Sequence, residues 1–294
     1  MRQTAHRSVA KSLVRIAAVV LLAGCTSESA LKAPQITAPP TPEAFALLIT
    51  PQVLADRLTD ETLRIVDVRP KAEYDEGHIP GAVHLDIDAW KTLGLSDGGL
   101  QDAAAWATNV RALGIDMNTS VVVYGGPLND AARAWWLLKY VGLPDVRLLD
   151  GDWTMWKAAD RPIETEAVET VATDFQPNFQ ADRLAETDDV RRYGDDPDVV
   201  ILDARGTLEY LAGHVPSAVH LDWSNLLADD GRFLSPEQLR AVFEEVPLER
   251  TKTVVTYCKS GSRSSAEAFA LELAGYEKVK NYFGSWKHWS AKAQ

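Results

Sequence analysis

The chain has 294 residues, 46% hydrophobic and 24% charged, the balance of an ordinary globular protein rather than a disordered or fibrous one. That length accommodates two domains of usual size. A formal net charge of -12 repels a phosphate backbone, and no basic stripe with interleaved aromatics occurs, so nucleic acid is excluded as a partner.

The first 25 residues differ from the rest. Arg2, His6, Arg7, Lys11 and Arg15 form a positive head, and Ile16 to Ala23 is an apolar run too short to span a bilayer. Small residues follow, in the three-part order of a secretory signal. Leu22-Ala23-Gly24-Cys25 resembles the lipobox of bacterial lipoproteins. That resemblance implies a signal peptide over residues 1–24, lipid on Cys25, and attachment to a membrane on the periplasmic face of a Gram-negative type envelope. An ordinary signal peptide or an uncleaved anchor is the alternative. Thr26, rather than Asp, follows the cysteine and points to the outer membrane. Residues 25–45, rich in Ser, Ala, Pro and Thr, read as a flexible tether.

After the tether the sequence is one domain written twice. Ile65-Val66-Asp67-Val68-Arg69, Glu73-Tyr74 and Gly77-His78-Ile79-Pro80 recur as Ile201-Leu202-Asp203-Ala204-Arg205, Glu209-Tyr210 and Gly213-His214-Val215-Pro216, 136 positions later. Further on, Tyr124 pairs with Tyr257, and Gly151-Asp152-Trp153 with Gly284-Ser285-Trp286, at an offset of 133. The first copy therefore holds three extra residues between Asp86 and Ser120, placed near Gly94 to Gly99. A period this long means two homologous domains, not a solenoid. The boundaries read as 46–160 and 179–294, joined by a linker over 161–178.

Within the second copy, Val199 to Asp203 and Val254 to Tyr257 read as buried strands. Pro236 to Val246 reads as a helix capped by Ser235, and Ser265 to Ala274 as a helix ended by Gly275. This alternation predicts an α/β fold, each copy a parallel sheet flanked by helices. Ligands in such sheets bind beyond the carboxyl ends of strands, where Cys258 falls.

The chain has two cysteines. With lipid on Cys25, Cys258 is the sole free thiol, and no intramolecular disulfide forms. No thiols and imidazoles cluster at metal-ligand spacing. Cys258 begins the segment Cys258-Lys259-Ser260-Gly261-Ser262-Arg263-Ser264. Ser264 and Glu267 have the spacing of a capping box, so a helix is expected to start there. A helix N-terminus, the cations of Lys259 and Arg263, and loop amides turned inward at Gly261 would each favour thiolate over thiol. An inert cysteine in an apolar wall is the plainer alternative, but these polar neighbours make a poor one.

The segment Val-Val-Thr-Tyr-Cys-Lys-Ser-Gly-Ser-Arg-Ser, with Asp-x-Arg, Gly-His-x-Pro-x-Ala and Gly-x-Trp-x-x-Trp, resembles the rhodanese family of sulfurtransferases over residues 45–294. Two copies in tandem resemble thiosulfate and 3-mercaptopyruvate sulfurtransferases. The resemblance implies that Cys258 takes a sulfane sulfur from a small donor as a persulfide and passes it to a thiol, cyanide or protein acceptor, with no metal or organic cofactor. It implies that Lys259, Ser260, Gly261, Ser262 and Arg263 bind the donor. A persulfide carrier with little turnover is an alternative. A related phosphatase or arsenate reductase is another, although four residues rather than five separate Cys258 from Arg263.

At the equivalent positions the first copy has Gly125 and Asp130, so it is expected to be inactive and to wall the cleft. Arg205 reads equally as a substrate contact or as an ion pair with structural Asp203. His214 has a twin, His78, in the inactive copy and reads as structural. Trp135 and Trp136 are placed at the interface between the copies.

Overall fold

The computed structural model describes residues 47–292. The signal peptide, Cys25, the tether and the envelope attachment they imply therefore lie outside the described residues.

The first copy opens with β1 (Leu48–Ile49) and α1 (Pro51–Ala55). Thr50 caps α1 by accepting a hydrogen bond from Val53 N, and Pro51 occupies its first position. There follow β2 (Leu63–Asp67), α2 (Lys71–Glu76), β3 (Ala82–His84), α3 (Ile87–Leu95), α4 (Ala103–Ala112), β4 (Ser120–Tyr124), α5 (Leu128–Tyr140), β5 (Val146–Leu149) and α6 (Asp152–Ala158). The second copy runs α7 (Thr187–Tyr193), β6 (Val199–Asp203), α8 (Thr207–Leu211), β7 (Val219–His220), α9 (Pro236–Glu244), β8 (Thr253–Tyr257), α10 (Ser262–Leu273), β9 (Val279–Asn281) and α11 (Ser285–Lys292).

Both sheets are parallel, in the orders β1-β5-β4-β2-β3 and β7-β6-β8-β9. Their central strands, β4 and β8, are almost wholly buried around paired valines, as a sheet covered on both faces requires. The register is shared: Asp67 lies opposite Tyr124, and Asp203 opposite Tyr257. In the second copy the strand equivalent to β1 shrinks to a single bridge between Leu184 and Asn281. The extra residues of the first copy lie in α3 and the turn after it, where the second copy has only a short 3-10 turn over Trp223–Leu226.

The copies pack through equivalent helices, α5 and α10. Trp135 meets Phe269 edge-on, with ring centroids 4.9 Å apart, and Trp136 stacks on Phe283 at 5.2 Å. One hydrophobic core runs through both copies, while the outer face of each sheet has a smaller cluster of its own. This fusion brings the start of α5 to the loop before α10. The segment 161–178, read as a linker, is strapped onto the first copy. Its Glu164 bridges to His78, Thr170 donates to Ala112 O at 2.7 Å, and Phe175 is buried.

Candidate active site

Buried β8 ends at Tyr257, and the chain turns through Cys258 to Gly261 into α10. The helix starts at Ser262, earlier than the Ser264 and Glu267 pattern suggested, and no capping box forms there. Gly261 adopts a left-handed φ of +94° and ends the loop abruptly. Its carbonyl accepts from the hydroxyls of Ser264 at 3.2 Å and Ser265 at 2.6 Å. Ser264 thus lies inside the first turn, its single hydroxyl hydrogen shared between that carbonyl and Asn281 Oδ1, 2.8 Å away. Glu267 does not reach back: it is fully buried, and neither carboxyl oxygen has a partner among the described residues. Burial, and then the nearby negative charges of Asp203, Cys258 and Asp222, push its pKa well above the usual carboxylate range.

Cys258 is 1% exposed. Its amide donates to Ser285 Oγ at 3.1 Å, its carbonyl accepts from Trp286 N at 3.0 Å, and Gly261 N–H donates to Sγ at 3.2 Å. Burial alone would raise the thiol pKa. The backbone amides of Ser264 and Ser260, the Ser264 hydroxyl and the Arg263 charge outweigh it, and the pKa falls below the ordinary thiol value. The lowered pKa raises the thiolate share of this sulfur, and the same amides suit an anion one atom longer.

The loop's two cations differ in setting. Lys259 is exposed, its carbonyl accepting from Lys287 N at 3.1 Å. Arg263, read from sequence as a cation that draws the donor, is paired with Glu209, at 2.5 and 2.9 Å. Glu209 belongs to α8 and shields part of that charge. Ser262 Oγ accepts from Asn129 Nδ2 of the first copy at 3.0 Å, and Ser260 O from Arg133 Nη2 at 3.2 Å.

Arg205 is not open to the loop. It is buried and paired with Asp203 at 2.6 Å, donates to Gly213 O at 2.8 Å, and lies 4.6 Å from the centre of the Trp286 ring. Asp203 also accepts from Tyr257 OH, tying β6 to β8. Arg69 repeats the arrangement with Asp67, Gly77 O and Trp153 in the copy that has no thiol. Of the two readings of Arg205, this geometry is that of the ion pair. His214 likewise stacks on Tyr210 at 4.0 Å, as His78 stacks on Tyr74 at 3.9 Å. In both, Nδ1 lies against the Tyr carbonyl, at 3.1 and 2.8 Å.

In the first copy, Gly125 at the cysteine position has a φ of +103°. Its amide donates to the carboxylate of Asp152, the counterpart of Ser285. A carboxylate thus occupies the place from which Ser285 holds Cys258. Sequence reasoning gave no role to Ser285, Glu209, Asn129 or Arg133, and gave Glu267 a capping role that its burial overturns. The repeat itself carried a signal for two of them. Glu209 recurs as Glu73, and Ser285 breaks its pairing with Asp152.

A family model described as "Rhodanese-like domain" matches residues 50–159 and 186–292. A protein of Pseudomonas aeruginosa named "Probable 3-mercaptopyruvate sulfurtransferase" is 35% identical, over 83% of this chain and 95% of its own length. The "Sulfur carrier protein TtuD" of Thermus thermophilus is 32% identical, over 83% of this chain and 93% of its own. Among solved structures, the 3-mercaptopyruvate sulfurtransferase SseA of Escherichia coli superposes with a TM-score of 0.72 at 28% identity, covering 82% of this chain and 98% of SseA.

Proposed function

The chain belongs to the rhodanese family of sulfurtransferases, and from that premise we propose that Cys258 carries the transferred sulfur as a persulfide. The observation that carries this reading is the setting of Sγ: buried, 3.2 Å from Gly261 N–H, and held toward thiolate by loop amides and Arg263.

With thiosulfate as donor, the thiolate attacks the sulfane sulfur. The S–S bond of the donor breaks, and sulfite leaves with the bonding electrons. With 3-mercaptopyruvate the C–S bond breaks instead, and pyruvate forms once its carbon takes a proton. The loop amides stabilise the terminal persulfide anion. A thiol, cyanide or protein acceptor then attacks the outer sulfur, and Cys258 leaves as thiolate. No cofactor enters this sequence. Arg263 and Lys259 draw the anionic donor to the loop, Arg263 with its charge partly spent on Glu209. Arg205 acts through the Asp203 pair as a support rather than as a donor contact.

The name of the Thermus thermophilus relative favours a second reading, a carrier that loads one sulfur and turns over slowly. Steady-state release of thiocyanate from cyanide with thiosulfate, and of pyruvate from 3-mercaptopyruvate, tests the first. Turnover with either donor that Cys258→Ser abolishes supports an enzyme. One sulfur per chain without turnover supports the carrier. Turnover retained in Cys258→Ser would sink both. We also infer a lipid anchor at Cys25 on the periplasmic face, with the outer membrane favoured by Thr26.

A further inference from the structure

We propose that Arg133, supplied by the thiol-less first copy, is a positioning residue for Cys258 that locks one peptide plane of the active loop. The inference rests on the reading of Cys258 as the sulfur-carrying nucleophile.

The Ser260–Gly261 peptide makes two contacts on opposite edges. Its carbonyl, Ser260 O, accepts from Arg133 Nη2 at 3.2 Å. Its N–H, on Gly261, donates to Cys258 Sγ at 3.2 Å. A trans peptide is planar, with C=O and N–H pointing in opposite directions. Fixing the carbonyl toward Arg133 therefore aims the N–H at the sulfur. The lock matters because residue 261 is glycine, at φ +94°. Glycine populates both signs of φ readily, so this plane can turn over without the steric barrier that a side chain would impose. A turned plane would aim the Ser260 carbonyl, an acceptor, at the thiolate.

Arg133 is well placed to hold it. The side chain is 3% exposed and sits one turn into α5, packed against α10. The charged groups facing it are Asp130 on its own helix, at 3.7 Å, Asp88 on α3, and Cys258. Arg133 is thus a buried cation within electrostatic reach of the thiolate.

The repeat supplies an internal comparison. Asn129 bonds Ser262, its own counterpart in the second copy, as expected where equivalent helices meet about a pseudo-two-fold axis. The counterpart of Arg133 is Ala266, which cannot reach the loop of the first copy. The guanidinium therefore serves only the loop that carries the thiol. The first copy supplies a part of the active loop, not just a wall beside it.

Alkylation of Cys258 in the full chain by iodoacetamide, read by peptide mass as a function of pH, reports its thiolate fraction. In Arg133→Met the midpoint is expected to rise by about one pH unit, since a cation and an aimed donor are lost together. Arg133→Lys keeps the charge but not the reach, and should fall between. Asp130→Asn is isosteric and at a part-exposed site, 28% exposed. It removes the carboxylate that shares the guanidinium, so the midpoint should fall below that of the wild type. Midpoints unchanged in folded Arg133→Met and Arg133→Lys, or an Asp130→Asn midpoint at or above that of the wild type, would overturn the proposal. Persulfide formation by the wild type is measured alongside. Its absence would remove the sulfur-carrier reading of Cys258, whereas normal loading with an unmoved midpoint in the variants would remove only the role of Arg133.

Discussion

Gly125→Cys places a thiol at the position in the first copy that corresponds to Cys258, and no second active site is expected. A Cβ at Gly125 would lie 2.7 Å from Arg69 Cγ and 2.7 Å from Asp67 Oδ1, with Arg69 N at 3.2 Å. Those atoms belong to the buried Asp67–Arg69 pair, which cannot yield cheaply. Overpacking costs about 1–3 kcal/mol. The left-handed φ of +103° adds about 1–2 kcal/mol for a residue with a side chain. A total of about 2–5 kcal/mol corresponds to a melting temperature lower by roughly 5–15 °C. Thiolate chemistry is opposed as well. The Asp152 carboxylate takes the Gly125 amide, and Asp67 faces the new side chain, so the thiol should titrate above the free value of about 8.5. The assay is calorimetry of Gly125→Cys, then intact mass of Gly125→Cys/Cys258→Ser after incubation with thiosulfate. A persulfide on the introduced thiol, or an unchanged melting temperature, would refute this reasoning.

Other perturbations test the second copy and the N-terminus. Arg263→Gln removes the cation beside Sγ and should move the pH midpoint of sulfur uptake upward, slowing uptake about tenfold near neutrality; Glu209→Gln releases Arg263 and should move the midpoint down. Equal shifts in the same direction would contradict the pairing. The Glu267 carboxyl has a folded pKa raised by burial, so the stability it contributes is present below about pH 4.5 and is lost as pH rises through the folded pKa. Glu267→Gln should therefore gain melting temperature over wild type as pH increases from 5 to 9, and a constant difference would count against a buried neutral acid. Radiolabelled palmitate should enter the wild type and not Cys25→Ala; equal labelling would remove the lipid anchor.

The repeat made much of the fold legible. Runs such as Val199–Asp203 and Thr253–Tyr257 are strands because an almost continuous apolar segment of that length can be buried on both faces of a parallel sheet. Ser235 caps α9 with Gln238 in the pattern that local chemistry dictates. Local reading failed at Ser264 and Glu267, where the same spacing lies inside a helix already begun at Ser262. There, tertiary burial of Glu267 overrides the motif. The segment 161–178 looked like a linker by composition, yet its backbone pairs with His78 and its Phe175 fills the core.

The site divided along the same line. Cys258 and its loop were legible because the chemistry is contiguous in sequence. Glu209, 54 positions from Arg263, and Arg133, 127 positions from Ser260, were not. Their contacts depend on how α8 and α5 pack against the loop, and no local pattern encodes that. The twin positions came nearest. Asp152 against Ser285 and Ala266 against Arg133 mark where the two copies diverged in use.

The most direct test is the intact mass of residues 26–294 after thiosulfate treatment. A gain of about 32 Da, lost on adding cyanide and absent in Cys258→Ser, is the predicted result for one sulfur held as a persulfide. No gain with thiosulfate or with 3-mercaptopyruvate, or an equal gain in Cys258→Ser, would contradict the assignment of Cys258 as the sulfur-carrying nucleophile.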